Sequence, residues 1–327
     1  MADLGFSMCF WNYDRTNPLL DGRVAIEGAA PKFTIRAPLD NFPSTFTESP
    51  FDVTEMSFSN YMTAYAEGRS PYVAIPVFLS RTFRHGAIFI RTDRGITEPR
   101  DLEGKTVGLV EYDMTAAVVV RGFLRDEYGV DTTKIRWRVG DPEAPWRDTM
   151  PIPDVPAGTE IEPVADAQTL SDAIATGALD ALVGIEPPSC FAAGAPNVAR
   201  LFPDWRSVER DYFERTGIFP IMHAVGIKRD LLDANPWLAA SLFEAFQSAK
   251  DLALRELAVM NAPKATLPWV AAELDATKSA MGEDFWPYGI QKNLTILELL
   301  ARHSYEDGLI PRRLSIDELF APSMLET

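Results

Sequence analysis

Four times along this chain a short apolar run breaks into a polar switch and restarts as a helix, and few folds accommodate that pattern so often. Leu4 to Phe10 leads into Trp11-Asn-Tyr-Asp-Arg-Thr-Asn-Pro18, where Asp14 or Thr16 can cap a short helix with Pro18 in its first turn. Phe51-Asp-Val-Thr-Glu-Met-Ser57 leads into a helix capped by Ser57 or Ser59 that runs to Gly68. Thr106 to Val110 passes through Glu111-Tyr-Asp-Met-Thr115 into a helix that lasts to Tyr128 and ends at Gly129. Leu179 to Ile185 passes through Glu186-Pro-Pro-Ser-Cys190. Strands that alternate with helices predict an α/β class. The polar switches then lie at the carboxyl ends of strands, where open sheets bind ligands.

Two further stretches predict how the chain is divided. Ile75-Pro-Val-Phe-Leu-Ser-Arg-Thr-Phe-Arg-His-Gly-Ala-Ile-Phe-Ile90 begins and ends as strand material and carries Ser80, Arg81, Arg84 and His85 between. Thr216 to Lys228 mirrors it, with His223 embedded in apolar residues. Both read as crossings between two domains, and 327 residues are too many for one core. The expected division is 1–87 with 225–327 as one domain, including the C-terminal helices, and 88–224 as the other. A central cleft would collect the strand ends, and clefts between domains are preferred ligand sites. Neighbours on a strand face opposite ways, so only one of Arg84 and His85 faces that cleft if the crossing is regular strand.

Charge limits what such a cleft can hold. The formal net charge is −16, which argues against nucleic acid and anionic membranes as partners. An anionic small molecule would be repelled at long range and needs local capture, for which Arg15, Arg84 and the helix starts at Ser57 and Thr115 are the candidates. No apolar run is long enough to span a bilayer. Met1-Ala-Asp-Leu-Gly-Phe6 has neither the basic nor the apolar region of a signal peptide. With only Cys9 and Cys190, a reduced, cytoplasmic protein is expected, and a homo-oligomer is compatible with the composition. Asp141 to Pro163, rich in proline and acid, is expected to be an irregular excursion.

Several of these stretches, in order, match a known pattern. They are Tyr13-Asp-Arg-Thr16 with Leu20-Asp-Gly-Arg23, Glu55-Met-Ser-Phe-Ser59, and Ala74-Ile-Pro-Val-Phe78 with Phe83-Arg-His85. They continue with Glu111-Tyr-Asp-Met-Thr-Ala-Ala117, Pro187-Pro-Ser-Cys-Phe191, Arg215-Thr-Gly-Ile-Phe-Pro-Ile-Met-His223 and Trp286-Pro-Tyr-Gly289. The chain resembles the 4,5-dihydroxyphthalate decarboxylase family, whose members have a two-domain fold like that of type II periplasmic binding proteins. The resemblance implies non-oxidative decarboxylation of an aromatic ortho-dicarboxylate, such as 4,5-dihydroxyphthalate to protocatechuate, in phthalate breakdown.

Such a reaction needs an acid to protonate the ring carbon, a group at the hydroxyl and a cation for the carboxylate that stays. Histidine suits either proton role near neutral pH. His85 is expected as the acid, with Glu55 or His223 at the hydroxyl. Substrate contacts are expected from Asp14, Arg15, Ser57, Ser59, Arg84, Glu111, Tyr112, Thr115, Ser189 and Trp286, all in the matching stretches. Glu55, Glu111, His85 and His223 have no metal-type spacing, and the chain has no phosphate loop or dinucleotide fingerprint, so neither metal nor cofactor is expected. Two other readings stay open: a non-catalytic solute-binding protein of the importer type for a carboxylate, and a different cytosolic enzyme on the same fold.

Overall fold

A computed structural model describes residues 3–144, 155, 158–165 and 168–327. Most of the proline-rich excursion, residues 145–154 and 156–157, lies outside them. Among the described residues eleven strands form two sheets. In chain order they are β1 (Ser7–Phe10), β2 (Lys32–Ile35), β3 (Val53–Ser57), β4 (Tyr72–Arg81), β5 (Ile88–Arg91), β6 (Thr106–Leu109), β7 (Arg136–Val139), β8 (Glu160–Pro163), β9 (Ala181–Val183), β10 (Val198–Arg200) and β11 (Ile221–Lys228).

The chain falls into two units. The first is Met1–Arg81, Ile221–Glu298 and Leu314–Thr327, and the second is Thr82–Pro220 with Leu299–Arg313. Among the described residues no helix is long and apolar enough to cross a membrane.

The sheet of the first unit runs β2-β1-β3-β11-β4. β1 pairs parallel with β2 and β3, while β11 runs antiparallel between β3 and β4. β3 is buried along its whole length, as expected of a strand covered on both faces. The β11–β4 ladder is irregular. Between the pairs His223 with Ser80 and Val225 with Ile75, β4 takes five steps where β11 takes two. Pro76 lies in that gap and has no N–H for the ladder, which is why proline is confined to edges and bulges. The carbonyls of Pro76, Phe78 and Leu79 are turned instead to Gly289 N at 2.9 Å, the Trp286 indole at 2.9 Å and Arg15 Nε at 2.7 Å.

The second sheet runs β10-β5-β9-β6-β7-β8. Its helix Thr115–Tyr128 is buried over its first ten residues and ends on left-handed Gly129, as the apolar run Ala116 to Val120 and the glycine predict. Leu299–Arg313 belongs to this unit. Asp307 and Arg121 form an ion pair at 2.7 Å, each about 1% exposed, and Asp307 also pairs with Arg125. At Gly122 an added Cβ would lie 2.0 Å from the His303 ring, so only glycine permits that approach.

Candidate active site

The middle of β3, the central strand, places Glu55 at the centre of the first unit's sheet, 1% exposed. A carboxylate so buried needs donors, and three converge on it. Tyr13 Oη donates to Oε1 at 2.8 Å, and the Trp11 backbone N–H donates to Oε2 at 3.1 Å. His223 Nδ1 lies 2.7 Å from Oε1. An ionised carboxylate can only accept, so the Nδ1 proton is on histidine. Burial pushes the Glu55 carboxyl up, but the hydrogen bond and charge of His223, with the bonds from Tyr13 and Trp11, outweigh it and hold the group below its ordinary value. Burial, and then the Glu55 charge, push the Tyr13 hydroxyl far up, so Tyr13 stays protonated.

The sheet register explains this meeting. His223 pairs with Ser57 and Val225 with Glu55, and directly paired residues share a face. His223 also sits at the β11–β4 irregularity, with the Phe42 ring edge-on at 4.8 Å. Its side chain keeps 16% exposure, and Nε2 carries no hydrogen bond among the described residues. The triad thus presents one ring nitrogen outward and ties the other to an anion.

Beside it the loop after β1 sets a cation. Arg15 gives Nε and one terminal nitrogen to the Leu79 carbonyl and another to Asp14 Oδ1 at 3.1 Å. The Tyr13 and Trp286 rings flank its guanidinium at 4.1 and 4.3 Å. A guanidinium has five N–H bonds, so two remain for a ligand. Asp14 is exposed and its carboxylate is spent on Arg15, so it orients the cation and offers an anion nothing.

The other expected contacts of this unit lie deeper. The Ser57 hydroxyl bonds the Asn60 side chain and makes no side-chain cap of the helix Phe58–Ala66. Ser59 is fully buried in that helix's first turn. Sequence reasoning assigned no role to Tyr13, the Trp11 amide or the Leu79 carbonyl. Tyr13 does lie in a matching stretch, but a backbone amide and a carbonyl leave no trace in residue type.

In the second unit, His85, the expected acid, is enclosed in the core. The segment Thr82–Arg84 leaves the strand pattern and His85 opens a short turn of 3-10 helix, so strand alternation does not apply. The ring is 1% exposed, stacks on Phe123 at 4.3 Å and is closed in by Tyr128, Phe202 and Tyr212. Neither ring nitrogen has a hydrogen bond among the described residues. Burial, and then the charge of Arg215, push the imidazole down to about 4. The ring is thus held neutral near pH 7 and enclosed by aromatic side chains.

Tyr112 is also a core residue, under the Arg121 guanidinium at 3.7 Å. Thr115 is buried at the first position of its helix. Ser189 is exposed, with its N–H and hydroxyl engaged by Glu143 at 2.8 and 2.6 Å. Arg84 is half-buried, reaches the Ile185 carbonyl at 3.4 Å and is pushed down to about 10 by burial, against the charge of Glu209. Glu111 is half-buried, and burial and then Asp113 push it up to about 7. The only group of metal-ligand type among the described residues is Asp126, His303 and Glu306, and Arg302 already neutralises its two acids at 2.5 and 3.0 Å.

No family model matches the chain. A 4,5-dihydroxyphthalate decarboxylase from Comamonas testosteroni is 40% identical over 327 residues, covering 100% of this chain and 99% of that protein. The chain belongs to the 4,5-dihydroxyphthalate decarboxylase family. A second protein of that name, from Pseudomonas putida, is 40% identical over 213 residues, which are 65% of this chain and 83% of the other. Among solved structures, the periplasmic aliphatic sulphonate binding protein SsuA from Escherichia coli superimposes with a TM-score of 0.55 at 12% identity, covering 100% of both chains. The alkanesulfonate-binding protein SsuA from Xanthomonas axonopodis pv. citri gives 0.53 at 12% identity, with 99% and 98% covered. At such identity the likeness concerns the fold alone. This member of the decarboxylase family has the type II periplasmic-binding-protein fold.

Proposed function

We propose that this chain decarboxylates 4,5-dihydroxyphthalate to protocatechuate without an oxidant, and that the proton comes from His223. The observation that carries the assignment is the buried Glu55 carboxylate tied to His223 Nδ1 at 2.7 Å. Family membership supplies the substrate class. Of the three histidines, His85 is sealed in an aromatic cage and His303 is 3% exposed with Nε2 on Asp126 at 2.8 Å. Only His223 keeps a ring nitrogen for a ligand.

In this substrate each carboxylate lies para to a hydroxyl. The imidazolium of His223, balanced by Glu55, gives its Nε2 proton to the ring carbon that bears one carboxylate. The para hydroxyl oxygen feeds electron density into the ring, which becomes a protonated quinoid. The carbon–carboxylate bond then breaks, its electrons restore the aromatic ring, and carbon dioxide leaves. Solvent returns the proton to Nε2, so each turnover consumes one proton. Glu55 holds the imidazole orientation, the role of the carboxylate behind a catalytic histidine elsewhere. Arg15 holds the carboxylate that stays, through its two remaining N–H bonds.

The test is incubation with 4,5-dihydroxyphthalate in heavy water. The expected result is carbon dioxide and protocatechuate with one deuterium at the vacated carbon. His223→Gln should lower kcat by about 10²–10⁴-fold, the usual worth of a positioned proton donor, with the circular dichroism unchanged. Binding without carbon dioxide release would instead favour a solute receptor. A fully active His223→Gln would sink the proton assignment.

A further inference from the structure

The cation of the site leans on a turn, and the turn leans on a buried lysine. Lys250 lies on the helix Leu238–Leu257 and is 1% exposed. Its ammonium donates to the Trp286 carbonyl at 2.9 Å and to Asp284 Oδ1 at 3.3 Å, and it sits 4.7 Å from the Tyr288 ring centroid. Lys292 also pairs with Asp284, at 2.6 Å.

A second buried cation, Arg81, grips the same turn through the Pro287 carbonyl at 2.8 Å and the Asn293 side chain. Asn293 in turn donates to the carbonyls of Pro287 and Gly289 at 3.1 and 2.7 Å. The carbonyls of Trp286, Pro287 and Gly289 are therefore all held, and the indole the turn presents covers the Arg15 guanidinium at 4.3 Å. Burying an ammonium is expensive, and an apolar side chain of similar length would fill the helix position without that penalty. The charge makes sense if the Trp286 carbonyl must be fixed.

We infer that Lys250 is a positioning residue for Arg15, acting through the turn Trp286–Gly289 to fix the indole against which the guanidinium stacks. The inference rests on the reading of Arg15 as the carboxylate holder. Lys250→Met then raises KM for 4,5-dihydroxyphthalate about tenfold while kcat stays within about twofold, because ground-state holding is lost and proton transfer is not. Lys250→Arg recovers most of the affinity.

Trp286→Leu gives the same rise, and the double variant Lys250→Met with Trp286→Leu adds little to either, since both act on one contact. Additive effects, or a loss in kcat at constant KM, overturn the inference. If Lys250→Met does not fold, Asp284→Ala removes the counterion from the protein's surface. It is expected to raise KM about threefold by loosening the ammonium, and an unchanged KM overturns the inference. Calorimetric Kd for the same compound separates the two readings. Wild-type protein that binds but releases no carbon dioxide defeats the decarboxylase reading alone, and the variants are then compared by Kd. Wild-type protein that binds nothing defeats both.

Discussion

A histidine means different things in different surroundings, and the two candidates of this chain show how far apart those meanings lie. His85 and His223 both lie in stretches read as crossings between domains. What separates them is the partner of the ring. His223 faces a carboxylate across one strand pair, and His85 faces Phe123, Tyr128, Phe202 and Tyr212. The cage is assembled from residues between Phe123 and Tyr212 in the chain, so no local reading of Phe83-Arg-His85 contains it.

The cage also sets a pH dependence. The folded-state value of His85 is pushed down by burial from 6.5 to about 4. Below 6.5 the unfolded chain binds the extra proton first, so the stability from the neutral ring is whole above that pH and is lost as pH falls towards 4. His85→Phe keeps the stacking and removes the titration. It should match the wild type at pH 7 and gain on it in urea melts towards pH 4, by about 3 kcal/mol at most. Its decarboxylation rate should stay within about threefold, the range of a change remote from the reacting atoms. Loss of activity in a folded variant would return the acid role to His85.

Elements whose signals are local were legible in the sequence, and those built by contact were not. Gly129 ends its helix in the left-handed region, where the sequence placed the stop. Glu55 was read as a carboxylate at a strand end but is the middle residue of β3, whereas Arg15 does lie in the loop of the first switch. The irregular β11–β4 ladder was hidden, although Pro76 is its local cause, because a proline does not say which carbonyls it frees. The packing of Leu299–Arg313 on the second unit was hidden too, since it depends on the fit of Gly122 to His303 and on the pairing of Arg121 with Asp307. Gly122→Ala should therefore destabilise the fold by about 2 kcal/mol, the usual penalty for overpacking a tight contact. The His303 ring cannot simply swing away, because Nε2 is held by Asp126 at 2.8 Å. In a His303→Ala background the same change should be nearly neutral in thermal melts. An equal loss in both backgrounds would show that the helix, not the contact, resents the methyl group.

For the molecule as a whole, the net charge of −16 and a dianionic substrate pull against each other. An approaching dianion meets the summed repulsion of the protein long before it meets Arg15, and repulsion over more than about 10 Å is screened at 0.1 M salt. The contact proposed for Arg15 is less exposed to screening, because that side chain is 14% exposed and its faces are covered by two rings. Long-range repulsion therefore weakens faster with salt than short-range holding does. The expected outcome is a rise in kcat/KM for 4,5-dihydroxyphthalate of about two- to fivefold between about 10 and 150 mM sodium chloride, opposite to the fall seen when an enzyme steers an anion by positive potential. The gain should lie in association, so stopped-flow binding should show kon rising while koff changes little. A kcat/KM that falls steadily over the same range would mean that local arginines govern the field from the first encounter, and that the protein's overall acidity is directed away from its ligand's path.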